Sequence, residues 1–379
     1  MIVTKRAEEL GSRQRQILAD SRRIVVKIGS RLLDESPAGC PARIADQIAS
    51  TESDYQFAIV SSGAITLGVR ALGKDRRPNA LADIQAAAAV GQNQLINHWQ
   101  HGFAAHGLTI GQVLLTHEDL TNRGRFLNAR YALRALLQAG VIPVINENDT
   151  VATEEIRYGD NDLLAALVAN LIGADALIIL TDVEGVLDAA PSAGGKRIPL
   201  VTHADLDITE AAGQTSADGI GSGGMSSKVD AARAAARHGV QTVVASGRVP
   251  LVLREILLGN DIGTLFVPSA AKLSSRKHWI AYKGRPVASI IVDKGAEEAL
   301  TQRGKSLLAA GVSDVRGEFS MGDAVSLSTI EGVEFGRGLA AYSSVVVRKL
   351  AGRRSPDIEE TLGHTYKREI VHRDDLVLI

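Results

Sequence analysis

Short, nearly continuous apolar runs recur through the first two thirds of the chain, each cut off by glycine or small polar residues. Residues 23–28 (Arg-Ile-Val-Val-Lys-Ile) end in Gly29-Ser30, and residues 57–60 end in Ser61-Ser62-Gly63-Ala64. Residues 141–145 end in Asn146-Glu147-Asn148-Asp149, and residues 176–180 end in Thr181-Asp182. Runs this short and this rich in β-branched residues read as strands buried on both faces. Residues 108–115 read as a further strand. Between the strands lie helical stretches: residues 80–101, rich in Ala, Gln and Leu; residues 126–138, closed by Gly140; and residues 163–171, opened by Asp160-Asn161-Asp162. This alternation, sustained over residues 23–265, predicts an α/β fold with an open, mainly parallel sheet and helices on both faces.

In such a sheet ligands bind outside the carboxyl ends of the strands, so the polar terminations mark a candidate site. Lys27 falls inside an apolar run, where an unpaired ammonium is costly to bury. It must snorkel to water or point into a polar cleft at the strand's end. At Ser61-Ser62-Gly63-Ala64 a strand-to-helix turn leaves backbone N–H groups free for a carboxylate or phosphate; the plainer reading is a serine N-cap. The helix start at Asp160-Asn161-Asp162 can receive an anion or an ammonium-bearing substrate; the plainer reading is a capping aspartate. Gly219, Gly221 and Gly224 satisfy G-x-G-x-x-G, yet no strand precedes them and no acidic residue lies about twenty positions on, so the dinucleotide reading fails. No Gly-Lys-Ser or Gly-Lys-Thr stands where a Walker loop needs it. What remains is a flexible glycine loop that delivers Lys228 to the N-terminus of an alanine-rich helix from Val229, a sound way to hold polyphosphate charge.

A chain of 379 residues exceeds what one core usually holds, so two domains are expected. The character changes after Gly263. Residues 267–286 read as a linker, and short strands are expected at 288–292, 318–327, 342–347 and 375–378, forming a small β-rich domain. A net charge of -1 gives no global attraction for nucleic acid or anionic membrane. The tail from residue 287 carries 12 Lys/Arg against 14 Asp/Glu, which argues against RNA binding. The single cysteine, Cys40, excludes an intramolecular disulfide and favours a reducing, cytoplasmic setting. The first 23 residues lack the apolar core of a signal peptide. The longest apolar region, residues 163–180, is interrupted by Asn170, Gly173 and Asp175, so no membrane span is expected.

Taken together, Lys27-Ile28-Gly29-Ser30, Ser61-Ser62-Gly63-Ala64, residues 143–149, Gly159-Asp160-Asn161-Asp162, Thr181-Asp182 and Gly223-Gly224-Met225-Ser226-Ser227-Lys228 resemble the amino acid kinase family, in its glutamate 5-kinase branch. The Asn-Glu-Asn-Asp and Gly-Asp-Asn-Asp pair differs from the corresponding loops of aspartokinases, acetylglutamate kinases and UMP kinases. The resemblance implies a kinase domain over residues 22–266, the linker at 267–286 and a PUA-like domain over 287–379, with an N-terminal arm at 1–21 to which no role attaches. It implies ATP-dependent phosphorylation of the L-glutamate side-chain carboxylate to γ-glutamyl phosphate, the first step of proline biosynthesis. Ser62, Asp149, Asn161 and Asp160 then match substrate positions. Lys27, Thr181, Asp182, Ser222, Gly223, Gly224, Met225, Ser226, Ser227 and Lys228 match nucleotide positions, and Asp162 matches the carboxylate that orients the two catalytic lysines, Lys27 and Lys228.

The chemistry agrees with those roles. Phosphoryl transfer needs alignment and charge neutralisation more than covalent help, and the attacking carboxylate is already deprotonated at pH 7. Mg²⁺ is expected on the nucleotide phosphates rather than in an all-protein cage. Also implied are feedback by proline, a homo-oligomer, and hand-over of the labile product to glutamate-5-semialdehyde dehydrogenase. One segment departs from the family pattern: Val186-Leu187-Asp188-Ala189-Ala190-Pro191 stands where a Leu-Tyr-Thr-Ala-Asp-Pro-like stretch is usual.

Overall fold

The structure, a computed structural model, describes residues 2–51, 54–152, 161–189, 194–202, 224–268, 286–354 and 369–379, with side chains from Leu10 onward. It divides into two units, residues 1–120 with 129–270 and residues 121–128 with 271–379. Along residues 2–268 the elements follow in the order α1 (Ile2–Ala19), β1 (Arg23–Ile28), α2 (Ser30–Glu35), α3 (Gly39–Ala49), β2 (Gln56–Ser61), α4 (Ala64–Ala71), α5 (Leu81–Ala104), β3 (Ile110–Leu115), α6 (His117–Thr121) and α7 (Arg123–Gln138). Then come β4 (Ile142–Glu147), α8 (Asn161–Ile172), β5 (Ala176–Thr181), β6 (Leu200–Val201), α9 (Met225–Ala236), β7 (Gln241–Ser246), α10 (Val252–Leu257) and β8 (Thr264–Phe266).

The sheet order is β3-β4-β2-β1-β5-β7-β8-β6. The six strands from β3 to β7 run parallel, and β8 is antiparallel to β7. The chain builds outward from β1 on one side and then returns to add β5 on the other, which makes the end of β1 a topological switch point. Register aligns the polar terminations there: Ile28 pairs with both Ser61 and Leu180. Side chains alternate across β1, with Ile24, Val26 and Ile28 entering the main core together with Leu95, Trp99 and Phe103 of α5. Lys27 therefore points to the opposite face, the one crossed by α8.

Two local devices fix the turn after β2. Gly63 adopts φ 102, a left-handed conformation that leads from β2 into α4 and that a side chain would strain. Helices α4 and α5 touch backbone to backbone, because a Cβ on Gly68 would strike the Ala87 carbonyl and one on Gly91 the Ala64 carbonyl. At the other edge, α1 docks through Arg15, which is 4% exposed. Its guanidinium donates to the carbonyls of Ile262 at 2.9 Å and of Pro199 and Gly263 at 3.1 Å, and pairs with Asp261 at 2.7 Å. The arm that sequence leaves without a role thus ties down the loops that enter β6 and β8.

Three boundaries differ from expectation. Strand β4 does not stop at Ile145; Asn146 and Glu147 continue it because β3 offers them partners in Leu114 and Leu115. Helix α9 begins at Met225 rather than Val229, with Gly224 in extended geometry as its N-cap, so Lys228 lies inside the first turns. Helix α8 begins at Asn161.

The second unit contains β9 (Ala288–Val292), α11 (Lys294–Thr301), β10 (Leu307–Leu308), β11 (Val312–Arg316), β12 (Ala324–Ser328), β13 (Glu334–Leu339), α12 (Ser344–Leu350), β14 (Glu369–Val371) and β15 (Leu376–Leu378). Five strands form a sheet in the order β11-β9-β12-β13-β15, antiparallel except for the β9–β12 pair, and β10 pairs with β14. Its own apolar core includes Ile290, Leu327, Val347 and Leu350. The strand expected at 342–347 is instead helix α12. Its valine run favours a strand locally, but Val347 and Leu350, three apart on one helical face, both bury in the core, and packing overrides propensity. The strand expected over 318–327 is confined to Ala324–Ser328, because the chain turns at Gly322 with φ 90. Most of the expected linker, residues 269–285, lies outside the described residues.

Candidate active site

The carboxyl end of β1 delivers Lys27, the first turn of α8 delivers Asp162, and the first turns of α9 deliver Lys228. Lys27 Nζ lies 2.5 Å from one oxygen of Asp162 and Lys228 Nζ lies 3.1 Å from the other. The three side chains are 4%, 0% and 6% exposed. Burying ions costs several kcal/mol each unless the geometry compensates, and here each carboxylate oxygen takes one ammonium. Two cations on one anion leave a surplus positive charge in a dry setting at a helix N-terminus. Such a place is preorganised for a transferring phosphoryl group.

Beside the triad lies a network of amides and hydroxyls. Asn161 Nδ2 donates to Ser62 Oγ at 2.8 Å, to Asn146 Oδ1 at 3.0 Å and to the Ser61 carbonyl at 3.3 Å. Asn146, only 3% exposed, donates its Nδ2 to Gln92 Oε1 at 2.8 Å. The Trp99 indole N–H donates to Ser61 Oγ at 2.9 Å. Asn161 Oδ1 is buried and has no partner among the described residues. Asp149 sits half-buried in the turn after β4.

At the end of β5, Thr181 donates its hydroxyl to Asp182 at 3.0 Å, and Arg31 of α2 pairs with the same carboxylate at 2.7 Å. Burial raises the Asp182 carboxyl, but the hydrogen bonds from Arg31 and Thr181 outweigh it and hold the group below the usual carboxylate range. Arg248, just after β7, donates to the Asp182 carbonyl at 3.0 Å and pairs with Glu35, and that hydrogen bond holds the Glu35 carboxyl below its ordinary value. Of the departing segment, Val186 is held on both sides, its N–H donating to Thr264 Oγ1 at 2.9 Å and its carbonyl accepting from Ile198 N at 2.8 Å, while Ala190 and Pro191 lie outside the described residues.

Of the residues singled out from sequence, the structure brings together Lys27, Asp162 and Lys228, joins Ser62 to Asn161, and joins Thr181 to Asp182. Gly224, Met225, Ser226 and Ser227 open α9. Asp160, Ser222 and Gly223 lie outside the described residues. Gln92, Trp99, Arg31 and Arg248 were not singled out. Arg31 and Arg248 lie three and two residues past strand ends, a signal available in the sequence; Gln92 and Trp99 sit in an alanine-rich helix that offers none. Among the described residues no three His, Cys, Asp or Glu side chains cluster as metal ligands, and no helix is long and apolar enough to cross a membrane.

Comparison with known proteins adds an independent line. The profile described as the amino acid kinase family matches residues 22–246, and that of the PUA domain matches residues 288–362. A glutamate 5-kinase of Pelobacter propionicus is 46% identical over 373 residues, covering 97% of this chain and 100% of that one. One from Trichlorobacter lovleyi is also 46% identical, covering 97% and 99%. One from Myxococcus xanthus is 45% identical over 371 residues, covering 96% and 98%.

Proposed function

The chain belongs to the glutamate 5-kinase branch of the amino acid kinase family, and on that premise we propose that it uses ATP to phosphorylate the side-chain carboxylate of L-glutamate, yielding γ-glutamyl phosphate and ADP for proline synthesis. The observation that carries the mechanism is the buried Lys27–Asp162–Lys228 triad at the switch point of the sheet. A γ-carboxylate oxygen of glutamate attacks the terminal phosphorus of ATP, the new O–P bond forms, and the bond to the β-phosphate oxygen breaks. No proton moves, so no general base is required. Lys27 and Lys228 offset the charge on the transferring group, and Asp162 holds both ammoniums in place.

Ser62 and Asn161 line the glutamate side, with Asp149 as partner of the α-ammonium, and Asp160 belongs to the same side by sequence position. Thr181, Asp182 and the start of α9 take the nucleotide. Mg²⁺, when bound, neutralises phosphate charge. Asp162 and Asp182 are both already engaged by cations, so phosphate oxygens and water would supply most of its ligands. Residues 22–266 form the catalytic domain in this reading and residues 287–379 a PUA-like appendage. The product is an acyl phosphate, labile enough to favour direct passage to glutamate-5-semialdehyde dehydrogenase.

The test is trapping with hydroxylamine in the presence of ATP, run with glutamate, aspartate, N-acetylglutamate and no acid. Hydroxamate from glutamate alone is the expected result. Equal signal from another acid, or none from glutamate in a folded protein that binds ATP, would refute the assignment.

A further inference from the structure

Helix α5 touches the ends of β2 and β4 and the turn after β4 at three positions spaced seven residues apart. Gln85 Nε2 donates to the Ala152 carbonyl at 3.3 Å, Gln92 Oε1 accepts from Asn146 Nδ2 at 2.8 Å, and Trp99 Nε1 donates to Ser61 Oγ at 2.9 Å. Seven residues are close to two full turns, so these side chains form one stripe along the helix. The backbone contact between α4 and α5 at Gly68 and Gly91 sets the depth of that stripe. None of the three residues belongs to the motifs that identify the site.

The polarity of the amide chain can be worked out from its one fixed end. A backbone carbonyl only accepts, so the Ser61 carbonyl requires Asn161 to turn Nδ2 toward it. Asn146 must then offer Oδ1 to Asn161 and is left with Nδ2 as a buried donor. That donor needs an acceptor, and Gln92 Oε1 supplies it. With both amides locked, Asn161 Oδ1 is the atom left facing away from the network, buried and without a partner among the described residues. A buried acceptor of this kind calls for a donor from outside the protein, water or a bound ligand.

We propose that Gln92 is a positioning residue for ammonium recognition: by accepting from Asn146 it keeps Asn146 Oδ1 turned to Asn161 and so secures the amide orientation that the Ser61 carbonyl sets, leaving Asn161 Oδ1 to accept a hydrogen bond from the substrate's α-ammonium. This rests on the glutamate reading above. It makes Gln92, which need not touch substrate, a determinant of selectivity for amino dicarboxylates over dicarboxylates that lack the amine.

The decisive comparison uses three substitutions of similar length in the full chain. Gln92→Glu can only accept, Gln92→Lys can only donate, and Gln92→Met does neither. Steady-state kinetics would give KM for glutamate and ATP, and Ki for glutarate, which has the two carboxylates but no ammonium. Gln92→Met and Gln92→Lys should raise the KM for glutamate about tenfold, the scale of one lost buried hydrogen bond, while the KM for ATP and the Ki of glutarate move less than about twofold. Gln92→Glu should recover most of the loss. Equal damage from Gln92→Glu and Gln92→Met, or a glutarate Ki that rises in step with the glutamate KM, would overturn the proposal. If Gln92→Lys fails to fold, as thermal melting would reveal, the Glu and Met pair still decides. Failure of the wild-type chain to form hydroxamate from glutamate would instead refute the function itself, and the relay with it.

Discussion

Where β1, α8 and α9 meet, the site is built from charge: two lysines and one aspartate, all at least nine-tenths buried, at 2.5 and 3.1 Å. Where β2, β4 and α5 meet, around the Asn161 that precedes the same aspartate in the chain, the contacts are neutral: two asparagines, a glutamine, two serines and a tryptophan N–H. On the function proposed above, the contrast follows from what each side must do. A transferring phosphoryl group carries negative charge spread over its oxygens between two anionic partners, and fixed positive charge in a dry setting stabilises it without reorganisation. An amino acid substrate must be told apart from its near neighbours, and directional hydrogen bonds discriminate better than charge alone, because an analogue without the donor leaves buried groups unpaired. Asp162 and Asn161 are adjacent at the start of α8, so one helix turn serves both sides.

The largest expected effect tests whether the charged side stands on Asp162. Asp162→Asn removes the anion from between two buried ammoniums, and breaking a buried pair costs about 3–5 kcal/mol. Denaturant unfolding should show a loss of that order, and kcat should fall by roughly a thousandfold. A variant of native stability and near-native kcat would remove the triad from the account. On the neutral side, Asn161→Ala should raise the KM for glutamate about tenfold or more while leaving the KM for ATP within about threefold. If both rise together, the two sides are not separable.

Smaller changes sharpen the contrast. Trp99→Phe keeps a ring in the core but deletes the donor to Ser61 Oγ, a loss of about 1 kcal/mol in stability, with a glutamate KM a few times higher and an unchanged KM for ATP. A role confined to packing would leave the KM untouched. The smallest effect concerns pH. The Asp182 carboxyl is held below its ordinary value, so its pairing with Arg31 contributes stability above the unfolded carboxylate range and loses it as pH falls through the folded value. Thermal melts should therefore show no pH dependence from Asp182 between about pH 5 and 8, where its contribution is full and constant, and Asp182→Asn should flatten only the acid limb. A difference between the two proteins that grows toward pH 8 would contradict this.

The charged side was the legible one. Lys27 announces itself as a cation inside an apolar strand, Asp162 as an acid at a helix start, and Lys228 as the lysine at the end of a glycine loop, so charge placed against hydrophobic pattern pointed to each. The parallel sheet was equally open to reading, because its strands are short, apolar and sharply terminated. The neutral side was legible only in part. Ser62 and Asn161 sit in strand-end motifs, whereas Gln92 and Trp99 lie more than 50 residues before Asn146 or some 38 after Ser61 in a helix whose own pattern is satisfied by alanine and leucine. Their contacts arise from the packing of α5 on α4, which no local pattern encodes. The valines at 345–347 mislead for the related reason that burial of Val347 and Leu350, not β propensity, decides their conformation.

The most direct test of this division of labour is a single kinetic comparison of Lys228→Met with Asn161→Ala, measuring kcat, the KM for glutamate and the KM for ATP in each. The account predicts that Lys228→Met loses roughly a thousandfold in kcat with the glutamate KM within about threefold, and that Asn161→Ala does the reverse, its main loss falling on the glutamate KM. If both substitutions act on the same parameter to the same extent, the site works as one undivided network and the central claim fails.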